Sequence, residues 1–191
     1  MTPVWLNQVH GATVVRLTAA DALHEAPLHE ADASITTDTG IACTVQVADC
    51  LPVLFAAPGA VGAAHAGWRG LAAGVLEATL SAVCEAARCD AGQVQAWLGA
   101  CVGPRRFEVG ADVLEAFKAP QDDSDPLRFA PHGPGKWLAN LPQLARDRLH
   151  RGGVRSVTGG RWCTVEDPSR FFSFRRDRIT GRMVAAVWRR G

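Results

Sequence analysis

The middle of the chain carries two hydrophobic patterns, one typical of strands and one typical of a helix. Residues 42–57 are rich in Val, Leu and Phe without a helical period, and the pattern resumes over residues 60–66 after the turn-forming pair Pro58–Gly59. Over residues 67–88, apolar residues recur at spacings of three and four, as on one face of a helix. The pattern therefore predicts a β-hairpin followed by an amphipathic helix.

The remainder of the chain predicts shorter elements. A buried strand is expected over residues 94–103 and a short helix over residues 112–118. A longer helix is expected to start at Asn140, with Gln143 in a capping-box-like position, and to end near Gly152. Further strands are predicted over residues 154–157, 170–176 and 182–190. Because helices and strands do not alternate in a regular βαβ order, we expect an α+β fold, a single domain of mixed β-sheets flanked by helices in a layered sandwich.

Composition and charge are those of an ordinary globular domain. The chain has 191 residues, 48% of them hydrophobic and 20% charged, with a formal net charge of +1. This balance gives no reason to expect nucleic acid or a membrane surface as a partner. The longest nearly uncharged run, residues 41–64, is interrupted by Asp49 and by a Pro-Gly turn, so it does not predict a membrane span.

The start of the chain and its cysteines bear on the cellular compartment. The stretch MTPVWLNQVHG lacks the basic and then apolar order of a signal peptide, so we expect a cytoplasmic location. The six cysteines are spread along the chain, and in a reducing compartment most are expected to be buried thiols. Cys50, directly after Asp49, is the one whose neighbours suggest a special role.

The predicted hairpin brings a cysteine and a histidine together. If its turn is centred on Pro58–Gly59, Pro52 lies opposite His65 and Cys50 lies opposite Gly67. Side chains alternate with a period of two, so Cys50 and His65 are diagonal neighbours on one face, with backbones about 7 Å apart. We expect a loop of four residues, 57–60, which keeps this register. A shift of one residue would place the two side chains on opposite faces.

A third donor is available from a histidine near the start of the chain. His10 interrupts an apolar run next to Gly11, and it is either a hydrogen-bonded histidine at a strand end or a ligand. With Cys50 and His65 it would supply N, S and N donors and leave one position open, as a catalytic zinc ion needs. The other histidines lie in polar segments and are expected to be solvated: His24, His29, His132 and His150.

Several charged residues are candidates for binding an anion or moving a proton. Arg69 falls in the first turn of the predicted helix, where a cation is unfavourable unless it binds an anion such as phosphate together with the helix N-terminus. Alternatively, Arg69 points to solvent or pairs with a surface carboxylate. Arg175 and Arg176 would occupy opposite faces of a strand, so one of them at most faces the same pocket. Asp49 is either a structural carboxylate or a proton-transfer group, and a regular strand would point it away from Cys50.

Six blocks of sequence, in order, resemble one known family. They are VWLNQVHG, ADASITTDTG, VADCLPVLF, AAHAGWRGLAAGVLEATL, AWLGACVGPRRFEVG and FFSFRRDRITGR. Together, from Val4 to Trp188, they resemble the bacterial laccase-domain family, which is also called multicopper polyphenol-oxidase-like. The chain is similar in particular to members described as purine nucleoside phosphorylases with adenosine deaminase activity and as peptidoglycan-editing factors.

The resemblance implies both a metal centre and a reaction. It implies zinc, with copper as the other possible ion, held by His10, Cys50 and His65. It implies phosphorolysis of purine nucleosides (adenosine, inosine, guanosine or methylthioadenosine) with adenosine deaminase as a side activity. Arg69 and Asp49 are the candidate catalytic residues for this reaction, and the general base is not assigned. Family members carry a further N-terminal segment before the VWLNQVHG block, so we expect residues 1–191 to be one catalytic domain that lacks this segment.

Three other functions compete with this interpretation. Laccase chemistry uses many histidines in His-x-His pairs, whereas this chain has six histidines without such a pair and methionines only at positions 1 and 183. A cysteine hydrolase would use Cys50 as a nucleophile activated by His65 and would act on amide bonds in peptidoglycan precursors. A metal-stabilised binding module would use the same residues without catalysis.

Overall fold

The computed structural model describes residues 1–23, 27, 29–121 and 125–191. Its strands are β1 (Thr2–Val4), β2 (Leu6–Asn7), β3 (Val14–Leu17), β4 (His29–Glu30), β5 (Ala33–Thr36), β6 (Ile41–Val47), β7 (Leu51–Ala57), β8 (Ala60–Ala66), β9 (Gln95–Leu98), β10 (Glu108–Val109), β11 (Phe129–Pro131), β12 (Trp137–Ala139), β13 (Ser156–Gly159) and β14 (Met183–Trp188). Its helices are α1 (Trp68–Ala73), α2 (Val75–Ala87), α3 (Ala111–Ala116), α4 (Leu141–Arg151) and α5 (Phe174–Asp177). The predicted class, mixed β-sheets with flanking helices in one domain, is confirmed.

The β7–β8 hairpin has the predicted register. Pro52 lies opposite His65, and the last pair before the open end is Leu51 with Ala66. The loop is shorter than expected, since Ala57 pairs with Ala60 and only Pro58–Gly59 connects the strands. Gly59 has a φ of 93°, which glycine adopts without strain, so a two-residue loop is accessible here.

The sheets are mixed, and the predicted strand over residues 42–57 is wrong in one respect. It is two strands, β6 and β7, which belong to different sheets. A six-stranded sheet has the order β13-β9-β7-β8-β5-β3, and a three-stranded sheet has the order β1-β6-β14. The chain leaves one sheet and enters the other through residues 48–50, where Asp49 has a φ of 92°. The alternation of side chains between the two faces of the strand is therefore interrupted directly before Cys50.

The main core lies between the six-stranded sheet and the helices. Helix α2 packs on β8 through an apolar face that includes Leu76, Leu80 and Val83. The close approach of α2 requires Gly62 in β8, because a Cβ there would lie 3.1 Å from Val83 Cγ2. Within the described residues, no helix is long and apolar enough to cross a membrane.

The predicted helix over residues 67–88 is broken into α1 and α2. Gly74 has a φ of 96° and ends α1, which has six residues. Arg69 therefore lies in a helix of only six residues. The prediction that the dipole of a long helix helps Arg69 to bind an anion is wrong for this reason. By contrast, α4 begins as predicted, since Asn140 Oδ1 accepts a hydrogen bond from the N–H of Gln143.

The predicted strand over residues 170–176 is wrong. Ser173 Oγ accepts the N–H of Arg176 and thereby caps the short helix α5. This hydrogen bond satisfies a backbone N–H of the first helical turn, which the apolar neighbours of Ser173 cannot do. The last predicted strand, residues 182–190, is confirmed as β14, which pairs with β6. The small strands β10, β11 and β12 were not predicted.

Candidate active site

Three side chains that are distant in the sequence meet at the open end of the β7–β8 hairpin. One donor atom from each of His10, Cys50 and His65 lies within 4.8 Å of the others. The Cys50 Sγ is 3.8 Å from His10 Nε2, and the two imidazole centroids are 4.7 Å apart at an interplanar angle of 75°. His65 is 3% exposed, whereas His10 lies on the solvent side. We call these residues the His-Cys-His cluster.

Two residues of the backbone near the cluster have left-handed conformations. His10 has a φ of 62° and Asp49 a φ of 92°, both uncommon for residues other than glycine. Gly67, just beyond β8, leaves room for the cluster. A Cβ at this position would lie 3.0 Å from Cys50 Sγ and 3.1 Å from His10 Cδ2.

A fully buried carboxylate, Asp32, holds two members of the cluster. Its Oδ1 accepts the N–H of His10 at 2.9 Å and lies 2.7 Å from Nδ1 of His65. Its Oδ2 accepts the N–H groups of Gly11 at 2.6 Å and of Val9 at 3.2 Å. Because Nδ1 of His65 contacts this carboxylate, Nε2 is the ring nitrogen left for the cluster, and it would bind zinc after losing its proton, the arrangement common for zinc-binding histidines.

The charges at the cluster stabilise a thiolate. Burial would raise the pKa of the Cys50 thiol, but hydrogen bonds from His10 and His65 outweigh burial and lower it to about 7. Burial would lower the pKa of His65, but Asp32 and Cys50 outweigh burial and raise it to about 9. Burial would also raise the pKa of Asp32, but hydrogen bonds from His65 and Gly11 bring it below the ordinary value.

The cluster lies in the wall of a cavity of about 750 Å³. Its polar lining includes Gln8, Gln46, Asp49 and the arginines Arg69, Arg175, Arg178 and Arg182. Its aromatic lining consists of Trp68, Phe107 and Phe174. A volume of this size, with apolar surfaces and a few convergent polar groups, is typical of a site for a small organic ligand.

The structure separates the two arginines that were expected to be alternatives. Arg175 lines the cavity, where its guanidinium lies 5.1 Å from the ring of Phe107. Arg176 turns away and donates to the carbonyls of Thr164 and Phe171. The reason is the helical turn of α5, not the alternation of a strand.

Arg69 and Asp49 both border the cavity. The Arg69 guanidinium lies 4.4 Å from the centroid of the Trp68 ring. Asp49 lines the same cavity as Cys50, contrary to the expectation from a regular strand. Its Oδ1 accepts from Thr164 Oγ1 at 2.5 Å and its Oδ2 accepts the N–H of Arg175 at 2.7 Å. These bonds anchor α5, and a proton-transfer role for Asp49 stays a prediction.

The remaining histidines are engaged elsewhere. His29 Nε2 lies 2.7 Å from Asp21, and His150 Nδ1 lies 2.9 Å from the carbonyl of Val154. His132 is near Glu108 on the surface, at 3.7 Å. His24 lies outside the described residues.

Sequence reasoning missed Asp32, Arg178 and Arg182. Asp32 comes directly before a strand-like run whose residues are expected to be buried. An acidic residue in such a place indicates a hydrogen-bonding or charged partner, because unpaired carboxylates are rarely buried. Arg178 and Arg182 had no such signal, because their place at the cavity depends on the turn after α5.

Residues 1–190 match the family described as multi-copper polyphenol oxidoreductase laccase. The chain belongs to this family. The family's description refers to copper, whereas the donor set in this member is two imidazoles and one thiol, which suits zinc as well.

Relatives and solved structures of the family are similar over nearly the whole chain. Purine nucleoside phosphorylase YfiH of Shigella flexneri is 49% identical over 188 residues, which is 97% of this chain and 73% of that protein. Purine nucleoside phosphorylase of Xylella fastidiosa is 43% identical over 191 residues, 97% of this chain and 72% of that protein. Among solved structures, protein NMB0706 of Neisseria meningitidis superimposes with a TM-score of 0.89 and 44% identity, covering 100% of this chain and 76% of that chain. YlmD from Geobacillus stearothermophilus gives a TM-score of 0.90 and 31% identity, covering 99% and 74%.

Proposed function

We propose that this protein is a zinc-dependent purine nucleoside phosphorylase with adenosine deaminase as a side activity, acting in the cytoplasm. The observation that carries the proposal is the position of the His-Cys-His cluster in the wall of an arginine-lined cavity large enough for a nucleoside. Relatives that match 97% of the chain are named purine nucleoside phosphorylases. The proposed substrates are inosine, adenosine, guanosine or methylthioadenosine, together with phosphate.

The residues at the cluster fit a zinc ion. His10, Cys50 and His65 would hold it, and Asp32 already sets the orientation of His65 that ligation needs. Copper is the other ion that this donor set accepts. A bound ion would supply a Lewis acid, the chemistry that departure of a purine and hydrolysis at C6 of adenine both use.

The arginines near the cluster are proposed to hold phosphate. In phosphorolysis an oxygen of phosphate bonds to C1′ while the bond from C1′ to the purine nitrogen breaks, and the purine leaves with the bonding electrons and gains a proton. Arg69 and Arg175 both line the cavity, and Asp49 fixes the backbone of Arg175. Positioned guanidinium groups bind phosphate oxygens and orient the nucleophile for this attack. Phe174, which is half exposed at the cavity, offers a face on which the purine can stack.

The test is release of purine base with and without phosphate. Inosine or adenosine should give free base only when phosphate is present. Replacing Arg69 with alanine should raise the phosphate concentration needed for half-maximal rate about tenfold or more, since a charge-assisted contact is lost. Arg161→Ala, an exposed arginine outside the cavity, is the matched control. Base release that ignores phosphate would refute the phosphorylase proposal.

A second candidate is a cysteine hydrolase that acts on amide bonds of peptidoglycan precursors. The observation in its favour is the sequence of contacts from Asp32 to His65 and on to Cys50, which resembles an activated cysteine nucleophile. Metal analysis of the purified protein separates the two proposals. About one zinc per chain, with activity lost on chelation, excludes a free thiolate as nucleophile.

An oxidase of the multicopper type is the weakest candidate. Within the described residues, the His-Cys-His cluster is the one group of three or more metal-ligating side chains. A coupled copper centre needs additional histidines around further ions. We therefore do not propose polyphenol oxidation as the activity.

A further inference from the structure

The cavity carries more positive charge than a neutral nucleoside and one phosphate require. Arg69, Arg175, Arg178 and Arg182 all line it, and Asp49 is the one carboxylate among the described lining residues. Both oxygens of Asp49 already accept hydrogen bonds. A concave surface that carries charge of one sign attracts ligands of the opposite charge. The excess therefore points to a ligand with an anionic group of its own.

None of these four arginines forms an ion pair with a described carboxylate, whereas five other arginines do. Elsewhere in the described chain, an acidic side chain lies within salt-bridge distance of Arg105, Arg128, Arg148, Arg170 and Arg176. Among the described residues, no carboxylate lies within that distance of the four cavity arginines. Their guanidinium groups thus keep donors for a bound anion.

The four arginines fall into two pairs. Arg69 follows Gly67, which contacts Cys50, and Arg175 is bonded through its N–H to Asp49. This pair is next to the His-Cys-His cluster. Arg178 and Arg182 belong instead to the segment between α5 and β14, and β14 begins at Met183, which pairs with Val47. The second pair is therefore carried by a different segment of the chain that lines the same cavity.

The backbone beneath the second pair is held in place. Arg178 has a φ of 63°, and its N–H donates to the carbonyl of Phe174 at 2.9 Å. The ring of Phe172 packs on Gly181, where a Cβ would lie 2.9 Å from the ring. Although both arginine side chains are exposed, the chain that carries them is fixed at each end of a short segment. Fixed attachment points lower the entropy lost when the two side chains bind an anion.

We propose that Arg178 and Arg182 form a second anion subsite, which binds the phosphate group of a phosphorylated nucleoside. The inference rests on the proposed function, because it takes the nucleoside moiety as the occupant of the same cavity. The substrate class is then extended from nucleosides to nucleoside monophosphates, with inorganic phosphate held separately by Arg69 and Arg175.

Calorimetric titration with inosine and with inosine 5′-monophosphate tests the subsite. In the absence of inorganic phosphate, the monophosphate should bind about tenfold tighter or more, the size of one or two charge-assisted hydrogen bonds. In the double variant Arg178→Gln/Arg182→Gln the ratio of the two dissociation constants should fall towards one. The variant Arg178→Lys/Arg182→Lys, which keeps the charges, should retain part of the preference. Because binding is measured without turnover, this result is independent of whether the protein cleaves nucleosides.

The control double variant is Arg155→Gln/Arg161→Gln, which removes the same charge outside the cavity and should keep the preference. Inorganic phosphate at saturating concentration should leave the preference for the monophosphate in place, since it occupies the other pair. Equal affinities in the wild type, a preference that survives loss of Arg178 and Arg182, or complete competition by inorganic phosphate would each overturn the subsite.

Discussion

Asp32 and His65 are joined by a contact of 2.7 Å between Oδ1 and Nδ1, in a place where the aspartate has no exposed surface. The same carboxylate accepts the N–H groups of residues 9–11, which carry His10. One buried side chain therefore orients an imidazole and shapes the loop that supplies a second imidazole. Asp32 is a positioning residue, and its effect on the cluster is separable from the ligands themselves.

Replacing Asp32 with asparagine should weaken the cluster while leaving its three donors in the chain. The amide can accept fewer of these hydrogen bonds and presents N–H groups to other donors. We expect zinc affinity to fall about 10- to 100-fold and the free energy of unfolding to fall by about 3 kcal/mol. Competition with a chromophoric chelator measures the first quantity, and urea unfolding measures the second.

Asp38→Asn is the control for this substitution, because Asp38 also accepts a backbone N–H, from Ala19, but lies away from the cluster. It should leave zinc affinity unchanged. Equal zinc affinity in the wild type and the Asp32→Asn variant would contradict the positioning role.

A methyl group at position 67 should disturb the cluster without unfolding the protein. Gly67 has φ −63° and ψ 161°, which alanine also adopts, so the backbone allows the substitution. The new Cβ would lie about as close to Cys50 Sγ as real carbon atoms come, at 3.0 Å. We expect Gly67→Ala to lower metal content and base release at least tenfold, by displacement of reacting groups. A circular dichroism spectrum and melting curve like those of the wild type would confirm that the fold is retained.

Gly92→Ala is the matched comparison, because its Cβ would meet the flexible side chain of Arg155, away from the cavity. If Gly67→Ala binds zinc and releases base as well as Gly92→Ala does, the close approach of Gly67 to the cluster has no functional meaning.

Bound zinc should protect Cys50 from alkylation. A thiolate that ligates an ion reacts slowly, whereas a half-buried thiol with a pKa of about 7 reacts readily near neutral pH. After removal of metal by a chelator, iodoacetamide should label Cys50, and addition of zinc should suppress that labelling. Peptide mass spectrometry reads each site, and Cys163, also half-buried, should not respond to zinc. If zinc does not change the labelling of Cys50, Cys50 does not bind zinc and the proposed metal centre is wrong.

The hydrogen bond from Thr164 to Asp49 should matter for phosphate binding. Thr164→Val keeps the shape of the side chain and removes the donor to Asp49, which loosens the anchor of Arg175. We expect the phosphate concentration at half-maximal rate to rise about three- to tenfold, on the scale of one hydrogen bond, with a smaller change in kcat. Steady-state kinetics at varied phosphate measure both. If Thr164→Val lowers only kcat, and Asp49→Asn changes the pH dependence of the rate, the results would instead support proton transfer by Asp49.

The parts of the site that follow local rules were predictable. A turn at Pro58–Gly59 and the alternation of side chains are enough to place Cys50 beside His65, and the register in the structure agrees. A repeated spacing of three and four was enough to find α2, although Gly74 ends the preceding turn. These features depend on neighbours within about 25 residues of each other.

The parts that were missed depend on long-range contacts or on one capping side chain. Asp32 acts on residues 22 and 33 positions away, which no periodicity reveals. Residues 170–176 have the composition of a strand, but the hydroxyl of Ser173 captures the N–H of Arg176 and turns the chain into a helix. The direction of Asp49 depends on its positive φ at the crossing between two sheets.

The cavity lining runs from Leu6 to Arg182, so nearly the whole length of the polypeptide contributes to one small space. A ligand that binds this cavity in the folded protein, and not the unfolded chain, adds its binding free energy to the unfolding equilibrium. Thermal denaturation thus becomes a screen for occupants, in which each ion or nucleotide that fits raises the melting temperature of the entire molecule.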